Sequence, residues 1–557
     1  MMKVGCKQVT AGVYGFTFIS FAACCGFACS RKTHTKRREC MKKANKLMLA
    51  AVLAVALPTG ALAAEADLQA RLDKLTQQME DLKGQVERIE DKSLGKWLSI
   101  GGDYRFRIDS FHGKTASYFD GMTFGMMYNL AMSGYFTAAY GVPAGNPAAA
   151  QAFAAAAAQV PAYKPKNETL YTNRFSLDLK AKATQDVTVN VKLGMYKVFG
   201  DQSGSPAQSN FFGDRAGVFD GTIGHVPSDS KLNVDRAYAT WSNIMDQPIW
   251  FSAGRRPSTN GAPTNLKANT ARPGNGGTPA ILVDYAFDGM TLGYAPDIEM
   301  LPGFYAKVCY GRGFESGYKA VGNEVKDTDM LGVAIIPIDT DPLRVWLQWN
   351  RGFNIFDNPA IAQSSFNAPG LVAALTAGGP VLTGMATNAA GGNFNIPFGA
   401  TTNLGSIDWF GGGAMTTLKK IGPGDLNFFA DFGVSMTHAN RNQGMMGVMM
   451  RDPGQGTAPD RTGFGVYTGL RSDLPSKTKI GAEYNYGSKY WITMAPAADD
   501  MWTAKVATRG HVIEPYVIQE LDLKPISSFF AKTFFKLGYQ YYDFEYTGSG
   551  NWVGDPK

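Results

Sequence analysis

Two long arms of alternating side chains, joined by a very short break, constrain the fold of this chain most. Residues 173–182 alternate apolar side chains with polar and charged ones, and residues 187–200 repeat the alternation after the polar break at 183–186. Side chains in a strand point to opposite faces, so each arm has one apolar and one polar face. Each arm also has the roughly 9–11 residues that a tilted strand needs to cross a bilayer. A water-soluble sheet would alternate in the same way, so recurrence of the pattern decides between the two.

The alternation recurs along the chain, with short turns after every second strand and long loops after the others. This order is typical of outer-membrane β-barrels. The predicted strands lie near residues 98–111, 171–182, 187–200, 232–243, 248–256, 280–295, 304–314, 328–338, 342–353, 405–417, 425–438, 462–474, 478–491, 508–523 and 529–545. They number fifteen, whereas bacterial single-chain barrels have an even number of strands. We therefore predict an all-β, transmembrane antiparallel barrel of about 16 strands whose last, returning strand is missing from this chain. A missed or falsely assigned strand is the alternative.

The dipeptide Asp288-Gly289 is a strong signal for a two-residue hairpin. A turn at this point would, however, put every later short turn on the wrong side of the membrane. We therefore predict one long strand over residues 280–295, in which Gly289 is a kink or a bulge.

The composition agrees with a barrel. Of the 557 residues, 45% are hydrophobic and 18% are charged, as in folded proteins. The mean hydropathy is only −0.15, which suits a barrel because only half of its strand residues face lipid. The formal charge of +7 comes from residues 1–63, and the rest of the chain holds 44 Lys/Arg against 46 Asp/Glu. Because no basic stripe is left, we predict no nucleic-acid partner.

Sequence motifs for chemistry are missing. Five of the six cysteines lie in the first 40 residues, which leaves Cys309 alone and predicts no intrachain disulfide. No Cys-x-x-Cys-His motif occurs for the attachment of haem. The chain also has no G-x-S-x-G, P-loop or H-E-x-x-H motif, and no His or Cys pairs at metal-ligand spacing. We therefore predict no enzyme, no cofactor and no metal site.

Residues 41–63 have the three parts of a secretory signal peptide. A basic start precedes the apolar stretch from Leu47 to Leu57, and Ala61-Leu62-Ala63 fits the cleavage rule. Cleavage is expected near Ala63, and the apolar stretch is too short for a membrane anchor. We interpret residues 1–40 as an extension from a start codon assigned too early, with Met41 as the real first residue. An unusual double leader is the alternative.

Residues 64–94 carry an apolar seam whose members are spaced alternately four and three residues apart, as in a coiled coil. The seam consists of Leu68, Leu72, Leu75, Met79, Leu82, Val86 and Ile89. A lone helix with so narrow a seam buries little apolar surface. We therefore predict a periplasmic coiled coil that joins copies of the chain into a homo-oligomer. A trimer is assumed because porins commonly form trimers, and the seam itself does not set the number of copies. A single amphipathic helix lying on the barrel mouth is the alternative.

Charges are dense on one face of the predicted strands, and a charged face needs water. Strand parity places the following residues in the lumen as pore-lining groups: Asp103, Arg105, Arg107, Asp109, Arg174, Asp178, Lys180, Lys182, Lys192, Arg236, Arg256, Arg344, Asp431, Lys479, Glu483, Glu514 and Lys536. Charged rings in a pore select ions and steer polar solutes, and the modest basic excess favours anionic solutes. Alternatively, each charge only pairs across neighbouring strands to hold the wall together.

Aromatic residues gather near the predicted strand ends, which predicts girdles at the two membrane surfaces. Trp346, Trp491, Tyr542 and Phe544 are among them. The alanine-rich run at 148–158 is interpreted as a surface or lumen-folded loop, although its alanines could form a short helix. Residues 257–278 and 493–507 are further long loops.

Five segments resemble a known family. The stretches WLSIGGDYRFRIDS, DRAYATWSN, WFSAGRRPSTNGAPTN, LPGFYAKVCYGRGFESG and FFKLGYQYYDFEYTGS are similar to functionally uncharacterised proteins assigned as outer-membrane porins of Gram-negative bacteria. The similarity covers nearly everything from Met41 onward, but the missing last strand departs from the family pattern. The resemblance implies an outer-membrane barrel in contact with lipid, and it brings no substrate and no catalytic residue.

The sequence as a whole indicates an outer-membrane porin through which small hydrophilic solutes, anionic ones by the charge balance, diffuse into the periplasm. No reaction is involved, and long loops that fold inward would set the size of the pore. The alternative is a barrel that sheathes a multihaem cytochrome for electron transfer across the outer membrane. That barrel would lack a haem motif of its own.

Overall fold

The computed structural model describes most of the region that was predicted to form the barrel. The described residues are 2–8, 97–119, 121–132, 134, 136–200, 227, 230–257, 263–270, 281–317, 326–356, 386–387, 394–395, 403–440, 460–495, 499–521 and 532–546. The predicted signal peptide at 41–63, with its cleavage site near Ala63, and the coiled coil at 64–94 lie outside them.

Antiparallel strands make up nearly all of the described structure. They are β1 (Met2–Gln8), β2 (Leu98–Lys114), β3 (Lys166–Lys182), β4 (Val187–Val198), β5 (Asn233–Trp241), β6 (Ile249–Pro257), β7 (Ala286–Tyr294), β8 (Tyr305–Phe314), β9 (Thr328–Asp339), β10 (Leu343–Phe356), β11 (Asn403–Ile421), β12 (Gly424–Ala439), β13 (Thr462–Asp473), β14 (Thr478–Gly487), β15 (Gly510–Leu521) and β16 (Thr533–Phe544). From β2 to β16 each strand pairs with the next one along the chain, which gives a single fifteen-stranded sheet. The predicted all-β fold and all fifteen predicted strands are confirmed.

The edge strands of this sheet, β2 and β16, do not pair with each other, so the fifteen strands alone do not close. Strand β1 lies between them and pairs antiparallel with both. The sequence analysis placed the residues of β1 in an N-terminal extension outside the barrel. In the structure they occupy the position of a sixteenth strand.

Two predicted strands are shorter than expected. The strand predicted over residues 280–295 begins only at Ala286, and the one predicted over 478–491 ends at Gly487. Gly289 is neither a turn nor a bulge, because its strand keeps an unbroken register with both neighbours. A Cβ atom at Gly289 would lie 2.0 Å from the carbonyl oxygen of Tyr310. The close approach of a neighbouring backbone therefore requires the glycine.

The two faces of the sheet differ in polarity as a membrane barrel requires. Large apolar side chains are exposed on one face, for example Phe428 and Phe432 on β12, Leu470 on β13 and Ile513 on β15. Alternate positions on the same strands carry Asp431 and other polar or charged groups that are buried. An apolar band on the outer face of the sheet suits contact with lipid, and the polar positions lie on the opposite, inner face.

Short helices occupy the long connections. They are α1 (Gly121–Met132), α2 (Thr137–Tyr140), α3 (Pro147–Ala158), α4 (Thr264–Ala268) and the 3-10 turn Lys505–Ala507. A second 3-10 turn, Ile244–Asp246, lies in the short connection between β5 and β6. The alanine-rich run predicted as a loop is the helix α3, because Asn146 accepts a hydrogen bond from Ala149 as the N-cap and Pro147 begins the helix. No helix in the described part of the chain has both the length and the apolarity needed to span a membrane.

Candidate functional site

Parts of two predicted surface loops fold into the interior of the barrel. We call residues 263–270, 281–285, 488–495 and 499–509 the lumen segments. The Nε1 atom of Trp409 on β11 donates to the carbonyl of Ile492 at 2.8 Å, and Arg105 on β2 binds Asp499. On β16, Gln540 donates to Asp500 at 2.7 Å. A segment that contacts strands so far apart around the sheet must lie inside it.

The lumen segments also bind one another. The backbone NH of Met494 donates to the carbonyl of Leu282 at 3.0 Å, and the NH of Asp284 donates to the carbonyl of Met494 at 2.8 Å. The hydroxyl of Thr493 donates to the carbonyls of Ile281 at 2.6 Å and Leu282 at 2.7 Å. These hydrogen bonds pair buried backbone groups of the two connections, which would be costly to leave unpaired away from water.

A row of glycines shapes the inner wall beneath these segments. Gly411, Gly433, Gly465 and Gly487 are direct partners across β11 to β14. Missing side chains at four adjacent positions leave a groove, and the ring of Trp491 fills it. A Cβ atom at Gly433 or Gly465 would lie 2.7 Å from that ring. We call this groove the glycine row.

Around the glycine row the interior is apolar. The indole of Trp491 is fully buried and donates to the carbonyl of Val506 at 2.8 Å. The side chains that pack with it form one core with members from both the lumen segments and the wall: Leu266, Ile281, Leu282, Val283, Trp346, Trp409, Phe429, Tyr467, Ile492 and Val506. We call this core the apolar plug. It means that this side of the lumen is filled with protein and not with water.

The apolar plug corrects part of the girdle prediction. Trp346 and Trp491 are buried in the plug, and Tyr542 and Phe544 are buried in a second inner core beside Trp502. Their strand positions suggested the membrane surface, but aromatic enrichment in strands has no fixed side. Inward-folded loops provide an apolar partner that the strand pattern does not reveal.

On the opposite wall three arginines surround one carboxylate. Arg105 on β2 donates from both terminal nitrogens to Asp499, at 2.5 and 2.7 Å. Arg174 on β3 lies 3.7 Å from the same carboxylate, and Arg107 donates to the backbone carbonyl of Asp499 at 3.1 Å. We call these residues the arginine cluster. Burial alone would raise the pKa of Asp499, but the guanidinium of Arg105 outweighs it and holds the pKa well below its usual range.

The wall supplies its own acids to the other cations of this cluster. Asp103 accepts from Arg174 at 3.2 Å, accepts a hydrogen bond from Ser176, and lies 3.6 Å from Lys192. Asp109 accepts from Arg107 at 2.8 Å. Several of the predicted lumen residues on β2 to β4 are therefore brought together as ion pairs on neighbouring strands, and their role in lining a pore stays a prediction.

A second charged group lies between the two walls. The amine of Lys505 donates to Glu483 on β14 and to Glu514 on β15, and Lys267 of α4 donates to Glu514 and to Asp500, each at 3.0 Å. We call this the lysine cluster. Burial alone would lower the pKa values of Lys505 and Lys267, but the surrounding carboxylates outweigh it and raise both pKa values above the usual range.

The lysine cluster continues toward Asn269, at the end of α4. Lys479 donates to Asn269 at 2.7 Å and to Glu520 at 2.7 Å, and Lys536 lies 3.6 Å from Glu514. Glu483, Glu514 and Lys479, all predicted on the inner face, therefore bind lumen segments directly, and Lys536, predicted on the same face, pairs with Glu514 on the neighbouring strand.

The remaining predicted residues are spread along the wall. Arg236 is half-buried beside Asp235 at 3.5 Å, and Asp178 is half-exposed. Lys180 and Lys182 are exposed next to the turn at 183–186. Asp178 lies 3.6 Å from Lys192, at the edge of the arginine cluster.

Two more predicted residues are buried, and a third stacks on aromatic rings. Arg344 donates to the hydroxyl of Tyr305 at 2.8 Å, and Asp431 accepts from the indole of Trp346 at 3.3 Å. The guanidinium of Arg256 lies 5.6 Å from the ring centres of both Tyr238 and Trp250.

Sequence reasoning missed the residues that the loops contribute. Asp499, Lys505, Lys267 and Trp491 were assigned to extracellular loops or to a girdle, because loop segments have no periodicity to interpret. The available signal was the glycine row, since unexplained glycines in strands mark the close approach of another group.

One family model matches most of the strands and lumen segments described above. It covers residues 164–557 and is described as "Protein of unknown function (DUF3373)". The chain belongs to this family. The family match includes Arg174, Asp499 and both glutamates of the lysine cluster, whereas β2 with Arg105 and Arg107 precedes it. No curated protein matches the chain.

Several solved structures are similar to the barrel. The Salmonella typhi OmpF complex with daunomycin is 7% identical, with 78% of this chain and 97% of that chain covered and a TM-score of 0.32. A loop L8 deletion mutant of OmpT, an outer-membrane protein of Vibrio cholerae, is 10% identical, with 79% and 99% covered and a TM-score of 0.30. A mutant of the Rh. blastica porin is 11% identical, with 67% and 92% covered and a TM-score of 0.30.

Proposed function

We propose that the protein is an outer-membrane porin that lets small hydrophilic, preferentially anionic, solutes diffuse into the periplasm. One observation carries the proposal. The fifteen-stranded sheet has one apolar, exposed face and one charged, inner face, which suits a wall between lipid and an aqueous path. The lumen segments fill the side of β11 to β16 and reach β2 and β3 through Asp499. The proposed path therefore runs along the walls of β4 to β8.

The preference for anions rests on that side of the lumen. Lys192, Arg236 and Arg256 lie on its strands, and Arg256 stacks on aromatic rings. A guanidinium held on a ring face keeps donors for a passing anion. A lining of one sign raises the local concentration of ions of the opposite sign.

Single-channel recording tests the proposal. We expect discrete conductance steps from the purified full-length protein in a planar bilayer, and a reversal potential in a KCl gradient that favours chloride. Arg256→Gln should shift the reversal potential toward potassium, whereas Arg312→Gln, which removes an exposed arginine near a loop, serves as control. A silent bilayer would refute the channel, and cation selectivity would refute the anionic preference.

Cys309 offers an independent probe of the aqueous path. It alternates on β8 with Val308, whose side chain is exposed on the outer face, and it accepts a hydrogen bond from Thr291 at 3.3 Å. A negatively charged methanethiosulfonate should react with Cys309 faster than a positively charged one. Val308→Cys combined with Cys309→Ser moves the thiol to the lipid side and should abolish the reaction. Equal reaction of both variants would contradict the assignment of faces.

The periplasmic coiled coil and the trimer belong to the same proposal. The seam from Leu68 to Ile89 would join barrels at their periplasmic side. Replacing Leu75 and Leu82 by Asp should convert the oligomer to monomers in light scattering of the detergent-solubilised protein. An unchanged mass would refute the coiled coil as the joining element. The cytochrome-sheath alternative has no supporting observation among the described residues and is not proposed.

A further inference from the structure

The arginine cluster has the side chains of an anion-binding site. The anion that it holds in the structure is the carboxylate of Asp499, which is part of the protein. Arg105 and Arg174 project from paired positions on β2 and β3, and strands are rigid supports. Asp499, by contrast, is contributed by a lumen segment. The guanidinium of Arg105 lies 5.2 Å from the ring centre of Tyr196, which fixes its plane. The guanidinium of Arg105, held by a strand, therefore binds the carboxylate of Asp499, which comes from a connecting segment.

Donors in this cluster outnumber the acceptor atoms that Asp499 supplies. The Nε atoms of Arg105 and Arg174 and one terminal nitrogen of Arg107 are buried and have no hydrogen-bond partner among the residues that the structure describes. Buried donors of charged groups are costly to leave unpaired. A tetrahedral oxyanion has more acceptor oxygens than a carboxylate and could satisfy several of them at once.

The charge balance points to the same ligand. Among the ion pairs around Asp499, the four cations Arg105, Arg107, Arg174 and Lys192 face three carboxylates of the wall, Asp103, Asp109 and Asp178. Arg105 has Asp499 as its only ion-pair partner among the described residues. Without Asp499 this ion-paired group keeps one uncompensated positive charge, centred on Arg105.

We propose that Arg105, Arg107 and Arg174 form a binding site for a soluble oxyanion, with inorganic phosphate as the simplest case, for which the carboxylate of Asp499 is a tethered competitor. The proposal rests on the proposed function for access, because phosphate reaches the cluster through the aqueous lumen. When phosphate binds, the Asp499 carboxylate leaves Arg105, and the segment 499–509 stays held by the lysine cluster. The competition makes phosphate affinity low in the native protein and high when the competitor is removed.

Isothermal titration of the full-length protein in detergent with sodium phosphate tests the site. Asp499→Asn should bind phosphate roughly ten- to a hundredfold more tightly than the native protein, because a charged competitor is lost. Adding Arg105→Gln to Asp499→Asn should abolish the gain. Asp500→Asn is the matched control, since Asp500 pairs with Lys267, and it should leave phosphate affinity unchanged.

Two results would overturn the site: no phosphate binding by Asp499→Asn, or binding that Arg105→Gln leaves unaltered. Folding of each variant is checked by the retarded migration of the unheated barrel in gels. The binding measurement needs no conductance, so it separates the two proposals. A silent bilayer with phosphate binding refutes the porin and keeps the site, and a conducting channel without phosphate binding does the reverse.

Discussion

The two walls of the barrel hold the lumen segments in opposite ways. On β2 to β4 the contact is ionic and partly open to water, with side-chain exposures of 16% for Arg105 and 31% for Asp499. On β11 to β14 the contact is apolar and dry, with Trp491 seated in the glycine row at 0% exposure. The first kind of contact is the one for which we propose exchange with a solute ion, whereas the second offers an ion no partner.

The difference has an energetic basis. A partly exposed ion pair contributes roughly 1 kcal/mol or less, because water and salt screen it. A fully buried tryptophan contributes about 3–5 kcal/mol relative to alanine. The apolar plug therefore contributes more than the arginine cluster to holding the lumen segments in place.

Removal of the central ring should break the dry contact. Trp491→Ala leaves a cavity over the glycine row, so we expect the docked segment to lose about 3–5 kcal/mol of stability. Hydrogen exchange of residues 488–495, measured by mass spectrometry, should accelerate accordingly. Trp241→Ala, at an outer position that is 49% exposed, is the control and should leave that exchange unchanged. Equal protection in both variants would mean that the plug does not anchor the loop.

The lysine cluster connects the two kinds of wall. Lys505→Met leaves Glu483 and Glu514 buried without their main cation, and we expect it to destabilise the barrel by about 3 kcal/mol. This value is at the lower end of the range for a broken buried ion pair, because Lys267 and Lys536 stay close to Glu514. Thermal unfolding in detergent measures the loss. Neutralising both glutamates in the same variant should recover most of it. Failure to recover would mean that Lys505 acts through packing alone.

A milder change tests whether the glycine row is required as a groove. Gly465→Ala places a Cβ atom 2.7 Å from the Trp491 ring, and the resulting overpacking should cost about 1–3 kcal/mol of docking stability. Gly313→Ala on β8, where the nearest atom would be 3.6 Å away, is the matched control. Protease susceptibility of the 488–495 segment reports the difference. If both variants show the same protease susceptibility, the glycines are needed for strand packing and not to make room for Trp491.

The smallest effect concerns pH. The pKa of Asp499 is lower in the folded protein than in the unfolded chain, so its contribution is complete above the ordinary aspartate value of about 4 and is lost as pH falls further. Asp499→Asn should therefore loosen segment 499–509 by roughly 1 kcal/mol between pH 5 and 8. The difference from the native protein should shrink below about pH 4. Hydrogen exchange at several pH values measures it, and a difference that grows in acid would contradict the assignment.

The strand pattern predicted more of the fold than of the site. Parity identified Arg105, Arg107 and Arg174 as inward groups, because alternation along a strand is a local property. It did not identify Asp499 as their partner, because that contact joins positions nearly 400 residues apart in the chain. The same limit applies to Trp346. Its position on a strand was predicted correctly, but it packs in the apolar plug and not at the membrane surface.

The sequence by itself determined the strands, their order and the side of the wall on which each residue lies. These properties follow from a two-residue period and from the alternation of turns and loops. Only the tertiary structure decided what fills the lumen. Loop segments have no periodicity, and their positions depend on the groove that four glycines from four strands make only after the sheet has formed. The ends of the fifteen-stranded sheet are a second such case, since the pairing of β1 with β2 and β16 joins residues that local patterns cannot connect.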